Sequence, residues 1–134
     1  MPSGPADPNS LGLAVARLGN GARKTTKVAV AVAGALLDDG ETVECVVGGK
    51  LEGNGALLVL TDRALLLVDD RQWKPFTELI QVDAALQVQG WQDDRTASLT
   101  LVFGGRQLVV DQIPDRPLAV EMAQRIRYRT GATA

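Results

Sequence analysis

Two almost uninterrupted apolar runs, Ala56–Leu60 and Ala64–Val68, are separated only by Thr61-Asp62-Arg63. Each has the length of a β-strand. A connection this tight predicts that they pair antiparallel as a hairpin. The surrounding residues continue the theme. Thr42–Val47 alternates Thr, Glu and Val against Val, Cys and Val, a strand with one half-polar face. Lys50 to Gly55 reads as a turn, with Asn54-Gly55 the favoured hairpin pair because both tolerate positive φ. Asp69 to Arg71 turns again. Trp73–Phe76 is a strand that Pro75 pushes to an edge, because proline lacks an N–H. Leu79, Ile80 and Val82 lead into Ala84–Trp91. Asp93-Asp94 is a turn, and Ser98–Phe103 and Arg106–Val110 flank Gly104-Gly105. About seven strands joined by short turns predict an antiparallel meander, not βαβ units. A sheet that long curls into two packed sheets or a barrel.

Helical patterns lie at both ends. Leu11, Val15 and Leu18 stand at helical spacing behind a cap at Asn9 or Ser10, and Gly19-Asn20-Gly21 breaks that short helix. Lys27–Leu37 reads KVAVAVAGALL. Val28, Val32 and Leu36 form one helical stripe, while Val28, Val30 and Val32 alternate as a strand would. The alanines and the lack of a turn signal favour helix, ended by Asp38-Asp39-Gly40. At the other end, Asp115 caps and Pro117 occupies the first turn of a helix. Leu118, Met122 and Ile126 form its apolar stripe, with Ala119 and Ala123 beside them. The expected organisation is therefore a flexible lead-in with a short helix (1–21), an apolar helix (22–38), a β domain with its closing helix (39–129) and a frayed tail (130–134).

Gly40-Glu41-Thr42-Val43 to Gly49, followed by Gly55-Ala56-Leu57-Leu58-Val59-Leu60-Thr61-Asp62-Arg63-Ala64-Leu65-Leu66-Leu67-Val68-Asp69, resembles bacterial pleckstrin homology (PH)-like domains. In these a "GE" opens the first strand and an "LLVLTDRRLLFVD"-like hairpin follows. Thr77-Glu78-Leu79-Ile80 sits at the family's "PLDKI"-like corner. Ser98–Phe103, Gly104-Gly105 and Ile113-Pro114 match the last hairpin and the run into the closing helix. The resemblance covers Asp39 to Arg129, and Leu-Thr-Asp-Arg is its most specific part. It departs at Ala64, where the family often has a second Arg, and at Pro75. It implies a mostly-β fold: a strongly bent seven-stranded antiparallel PH-like barrel with a C-terminal capping helix, here preceded by an N-terminal helical segment.

Chemistry is sparse in this chain of 134 residues, which has no His, one Cys and three Ser. Ser-His-Asp, Cys-His and His-based zinc chemistry are excluded together. Asp38-Asp39, Asp69-Asp70 and Asp93-Asp94 each fall in a turn, where Asp bonds nearby backbone. None has the closing Glu of a Ca²⁺ loop. Neither Gly53-x-Gly55 nor Gly19-x-Gly21 completes a phosphate-binding glycine pattern. No catalytic residue, metal or cofactor is expected. The net charge of −2 argues against nucleic acid. PH domains that bind phosphoinositides grip phosphates with several cations on the first hairpin, but Gly48–Gly55 offers Lys50 beside Glu52, so no such clamp is expected. Cys45, on a strand with no cation beside it in sequence, reads as a buried, unreactive thiol. The opening MPSGPADPNS has no basic segment and no apolar core, and so is not expected to be a secretory signal. The longest uncharged apolar run, Val28 to Leu37, is ten residues. That is half the roughly 20 a membrane span needs.

What remains is interaction. The helix over 22–38 is apolar on more than one face and must pack on its own barrel, on another chain or on a membrane. Val28, Val32 and Leu36, with Trp73 and Phe76 at the edge strand, are the expected interaction residues. Trp73 and Trp91 read as core or rim packing unless exposed. The expected partner is a protein or a second copy, in the cytoplasm. The rival is a peripheral membrane contact through Arg23, Lys24 and Lys27, which lie in a stretch, residues 1–37, of net charge +3 against −5 for residues 38–134. A third class, a small-molecule carrier, would need an unfilled pocket among Leu57, Val59, Leu65 and Leu67.

Overall fold

The computed structural model describes residues 7–71 and 76–131. β2 (Asn54–Thr61) and β3 (Leu65–Asp69) form the expected antiparallel hairpin, in a register that pairs Leu60 with Leu65 and Ala56 with Asp69. β1 (Val43–Leu51) lies on the far side of β2, and β4 (Thr77–Ile80) pairs with β3 at the sheet edge. β5 (Gln87–Gln92), β6 (Ala97–Phe103) and β7 (Arg106–Ile113) form a second antiparallel meander. β7 returns to β1 through Lys50 and Asp111, giving the order β4-β3-β2-β1-β7-β6-β5. Both halves contribute to one hydrophobic core.

Helices explain why Ala56–Leu60 of β2 and Leu65–Val68 of β3 are continuously apolar. Alternation is the mark of a strand with one wet face. β6 alternates between buried and half-buried residues along most of its length, whereas every residue of β3 is buried. α1 (Leu11–Val15) and α2 (Asn20–Thr25) pack on β1, and α3 (Lys27–Leu36) packs on β2 and β3. α4 (Arg116–Thr130) docks on β1, β5 and β6, burying Leu118, Ala119, Met122, Ala123 and Ile126 as its stripe predicts. Gly131 ends it in a left-handed conformation, φ 81°.

The N-terminal segment is more integrated than expected. Leu11, Ala14 and Leu18 belong to the core. Val43 N–H donates to the Asn9 carbonyl at 2.8 Å, and Asn9 Nδ2 donates to the carbonyls of Asp38 and Glu41. Neither Asn9 nor Ser10 caps α1 through its side chain; the Asp7 carboxylate accepts from Gly12 and Leu13 N–H instead. Two helices replace the single one expected over 22–38. Thr26, φ −109° and ψ 10°, separates them, and the hydroxyls of Thr25 and Thr26 bond back to the Ala22 carbonyl. Gly48 lets α2 come this close: a Cβ there would lie 2.9 Å from Thr26 Cγ2.

The first hairpin also turns two residues earlier than Asn54-Gly55. Leu51 pairs with Asn54, so the turn is Glu52-Gly53, with φ 52° and 83°. Gly55 serves a different need inside β2, since a Cβ there would lie 2.9 Å from Asp70 Oδ2 and collide with the Thr25 carbonyl. Asp115 precedes α4 as expected but makes no cap bond. Its Oδ1 accepts from Gly19 N–H at 3.1 Å, tying the start of α2 to the start of α4. Arg17 adds a second tie, bidentate to Glu121 at 2.7 and 3.0 Å.

Gly55→Ala is expected to cost about 3 kcal/mol, because backbone and a carboxylate must both move. Gly53→Ala, with open space around it, should cost only about 1–2 kcal/mol for its positive φ. Urea unfolding of the two variants measures the difference. The Arg17 hydrogen bonds hold the Glu121 pKa down at about 2, against 4.5 ordinarily. A carboxyl depressed on folding contributes stability above its ordinary value and loses it as pH falls toward the folded one. Arg17→Met should therefore flatten the acid-side loss of stability and return the Glu121 carboxyl titration toward 4.5, read by NMR.

Candidate interaction surface

α3 meets the sheet with its small side chains. Ala29 and Ala33 are fully buried, so the larger stripe points away. Val28 is 54% and Leu36 49% exposed, and Val32 is half-buried. Ala31 and Ala35 are exposed between them, and no charged residue follows Lys27 in the helix. The C-terminal end of this face runs onto edge strand β4. There Leu36, Leu37, Leu66, Thr77, Leu79 and Glu41 line a groove of about 170 Å³. Leu66 and Leu79 are cross-strand partners, and Leu79 is 62% exposed.

Leu79 was not among the expected interaction residues. Its neighbour Ile80 is buried, and consecutive strand residues point to opposite faces, so Leu79 lies on the other side of the sheet from Ile80, beside Leu66. Phe76 is half-buried, packs against the core and lies 4.9 Å from the Arg71 guanidinium. Its backbone is pinned to Asp69: Phe76 N–H donates to Asp69 Oδ1 at 3.0 Å, and Asp69 N–H to the Phe76 carbonyl. Trp73 and Pro75 lie outside the described residues. Trp91, on β5, is 63% exposed.

Asp69 closes β3 instead of lying in the turn that follows, but its carboxylate does bond nearby backbone, accepting from Arg71 N–H at 3.2 Å. It is fully buried and paired with the Arg71 guanidinium at 2.6 Å. That hydrogen bond raises the Arg71 pKa. Arg71 also reaches Glu52 of the first hairpin at 3.6 Å, so this cation stands beside two carboxylates. Another buried carboxylate, Glu41, accepts from the Thr61 hydroxyl at 2.6 Å and from Asp38 N–H at 3.1 Å. Thr61 Oγ1 in turn accepts from Arg63 and Ala64 N–H, shaping the β2–β3 turn.

Arg23, Lys24 and Lys27 are all exposed at the corner between α2 and α3. Arg23 donates to Asn20 Oδ1, and none of the three joins an ion pair among the described residues. Leu57, Val59, Leu65 and Leu67, the residues a barrel carrier would need, are fully buried in the common core. Among the described residues no group of His, Cys, Asp and Glu is arranged to hold a metal ion, and no helix is long and apolar enough to cross a membrane.

The architecture defines the class. A seven-stranded antiparallel sheet, with its last strand returned to its first and a C-terminal helix packed on it, is a PH-like fold. The chain is similar to the pleckstrin homology domain from Shewanella amazonensis SB2B, known from a crystal structure. They share 23% sequence identity over 78% of this chain and 98% of that one, with a TM-score of 0.53. No protein-family model matches the sequence, and no curated protein does.

Cys45 lies 3.7 Å from Met122 Sδ in the core, and burial pushes its thiol up to about 12. Thiol reagents at mildly alkaline pH are therefore expected to leave it unmodified until the chain unfolds, with labelling appearing at the urea transition.

Proposed function

We propose that this PH-like domain is a non-catalytic protein-interaction module, without a cofactor, that self-associates through the outer face of α3 in the cytoplasm. The observation that carries this reading is the uncharged, exposed face of that helix: Val28, Ala31, Ala35 and Leu36, continued by Leu79 on β4. Large apolar side chains in contiguous exposure mark an interaction site. A second copy is the favoured occupant because a face without charge is self-complementary. Two such faces related by a twofold axis bury the same stripe on both copies. Ala31 and Ala35 let the two helices approach closely. No phosphoinositide clamp is inferred, since Arg71, the added cation at the first hairpin, is already engaged by Asp69 and Glu52.

Light scattering coupled to size exclusion tests this. The full chain is expected to run as a dimer, and Val28→Asp with Leu36→Asp as a monomer of unchanged melting temperature. A full chain that is monomeric at every concentration overturns the reading. The rival, peripheral contact with an anionic membrane, is supported by the exposed corner of Arg23, Lys24 and Lys27 next to Val28. Reversing those three charges should abolish salt-sensitive flotation with anionic vesicles and leave an apolar dimer intact.

A further inference from the structure

The groove at the C-terminal end of α3 bears on how two copies would meet. Its apolar walls are Leu36 and Leu37 on the helix side and Leu66 and Leu79 on the sheet side, around about 170 Å³. Its buried carboxylate, Glu41, is already engaged within the chain. Oε1 accepts from Asp38 N–H at 3.1 Å and Oε2 from the Thr61 hydroxyl at 2.6 Å. The unfilled part of the groove is therefore apolar and suits an aliphatic side chain better than a cation. Leu36 and Leu79 stand exposed at its rim and are the side chains that covering it would remove from water.

The same face offers such a side chain. Val28 is more than half exposed and lies outside the groove. It stands about two turns before Leu36, or about 12 Å along the axis, so it does not fill the groove of its own chain. Ala31 and Ala35 lie exposed between the two, small enough for another helix to come close.

A twofold pair of helices runs either parallel or antiparallel, and charge separates the two. The approach to this face is basic, with Lys24 and Lys27 exposed and in no ion pair among the described residues. Its far end is acidic, with Asp38 and Asp39 exposed. Asp38 reaches Arg63 at 3.7 Å, and Asp39 joins no ion pair among the described residues. Parallel packing sets like charge against like at both ends, puts Val28 against Val28 and leaves both grooves empty. Antiparallel packing sets the basic end against the acidic end twice and lays Val28 of each copy at the Leu36 end of the other. Exposed ion pairs add little affinity. Charge complementarity instead fixes direction and register, and the filled grooves supply the hold.

We propose that two copies pair with their α3 helices antiparallel, each inserting Val28 into the groove that Leu36, Leu66 and Leu79 form on the other. This rests on the self-association through α3 proposed above and adds its direction and its anchoring contact. Twofold symmetry fills both grooves at once.

Cysteine cross-linking on the full chain tests the arrangement. Cys45 is buried, so introduced cysteines report alone under mild oxidation. A mixture of chains carrying Val28→Cys and Leu79→Cys is expected to give a disulfide-linked pair of one each. Val28→Cys alone should link to itself far less, because its two copies then stand about 12 Å apart, beyond the roughly 7 Å a disulfide spans between Cα atoms. Leu79→Asp, at an exposed position, should keep the melting temperature and raise the dimer dissociation constant roughly tenfold or more by sedimentation. Tyr128→Asp, as exposed but on α4, should leave that constant unchanged. Self-linking of Val28→Cys, failure of the mixed link in a dimeric protein, or a dimer indifferent to Leu79→Asp overturns the arrangement and leaves self-association through α3 standing. A full chain that is monomeric at every concentration overturns both.

Discussion

Leu57 and Leu58 are adjacent on β2, point to opposite faces of the sheet, and are both fully buried. The same holds for Leu67 and Val68 on β3. Keeping both faces of this hairpin dry is the constraint that organises the molecule. The second half of the sheet and α4 cover one side. α1, α2 and α3 cover the other, so the N-terminal segment is a layer of the fold and not a lead-in to it. Emptying such a site is expensive, since a buried Leu→Ala change costs about 2–5 kcal/mol. The glycines on β1 and β2 follow from the same constraint. Gly48 and Gly55 are the points where α2 and its following residues lie directly on the strands.

The polar contacts fasten this layer at its ends. Asn9 bonds the carbonyls of Asp38 and Glu41, Glu41 holds Thr61, and Arg129 of α4 donates to the Thr61 carbonyl. Asp115 and Glu121 receive Gly19 and Arg17 from the N-terminal segment. Buried polar groups are tolerable when they are paired, and here the pairs join elements far apart in sequence. Asp69 works the same way locally, holding Arg71 and Phe76 so that the chain leaves β3 and comes back as β4. With both faces of β2 and β3 covered, the outer face of α3 and the two sheet edges stay open.

Much of this was readable from residues. The tight connection Thr61-Asp62-Arg63 set the central hairpin, and the Leu118–Met122–Ile126 stripe set how α4 docks. The errors share a cause: local preference was outweighed by a distant neighbour. Asn54-Gly55 is the better turn by propensity, but Gly55 is needed under the Thr25 carbonyl, so the turn moved to Glu52-Gly53. Asp115 is a good cap by position, but its carboxylate goes to Gly19.

The candidate surfaces divide the same way. The periodicity of Val28, Val32 and Leu36 is visible in the chain, but the direction it faces is not. Ala29 and Ala33 stand at equal spacing, and only packing against β2 and β3 selects the small face for the inside. Apolar periodicity and turn chemistry are properties of consecutive residues, and they determined the hairpin, the strand succession and the closing helix. Which faces are covered and which edges stay open depends on contacts between residues as far apart as Arg17 and Glu121, and only the tertiary structure decided them.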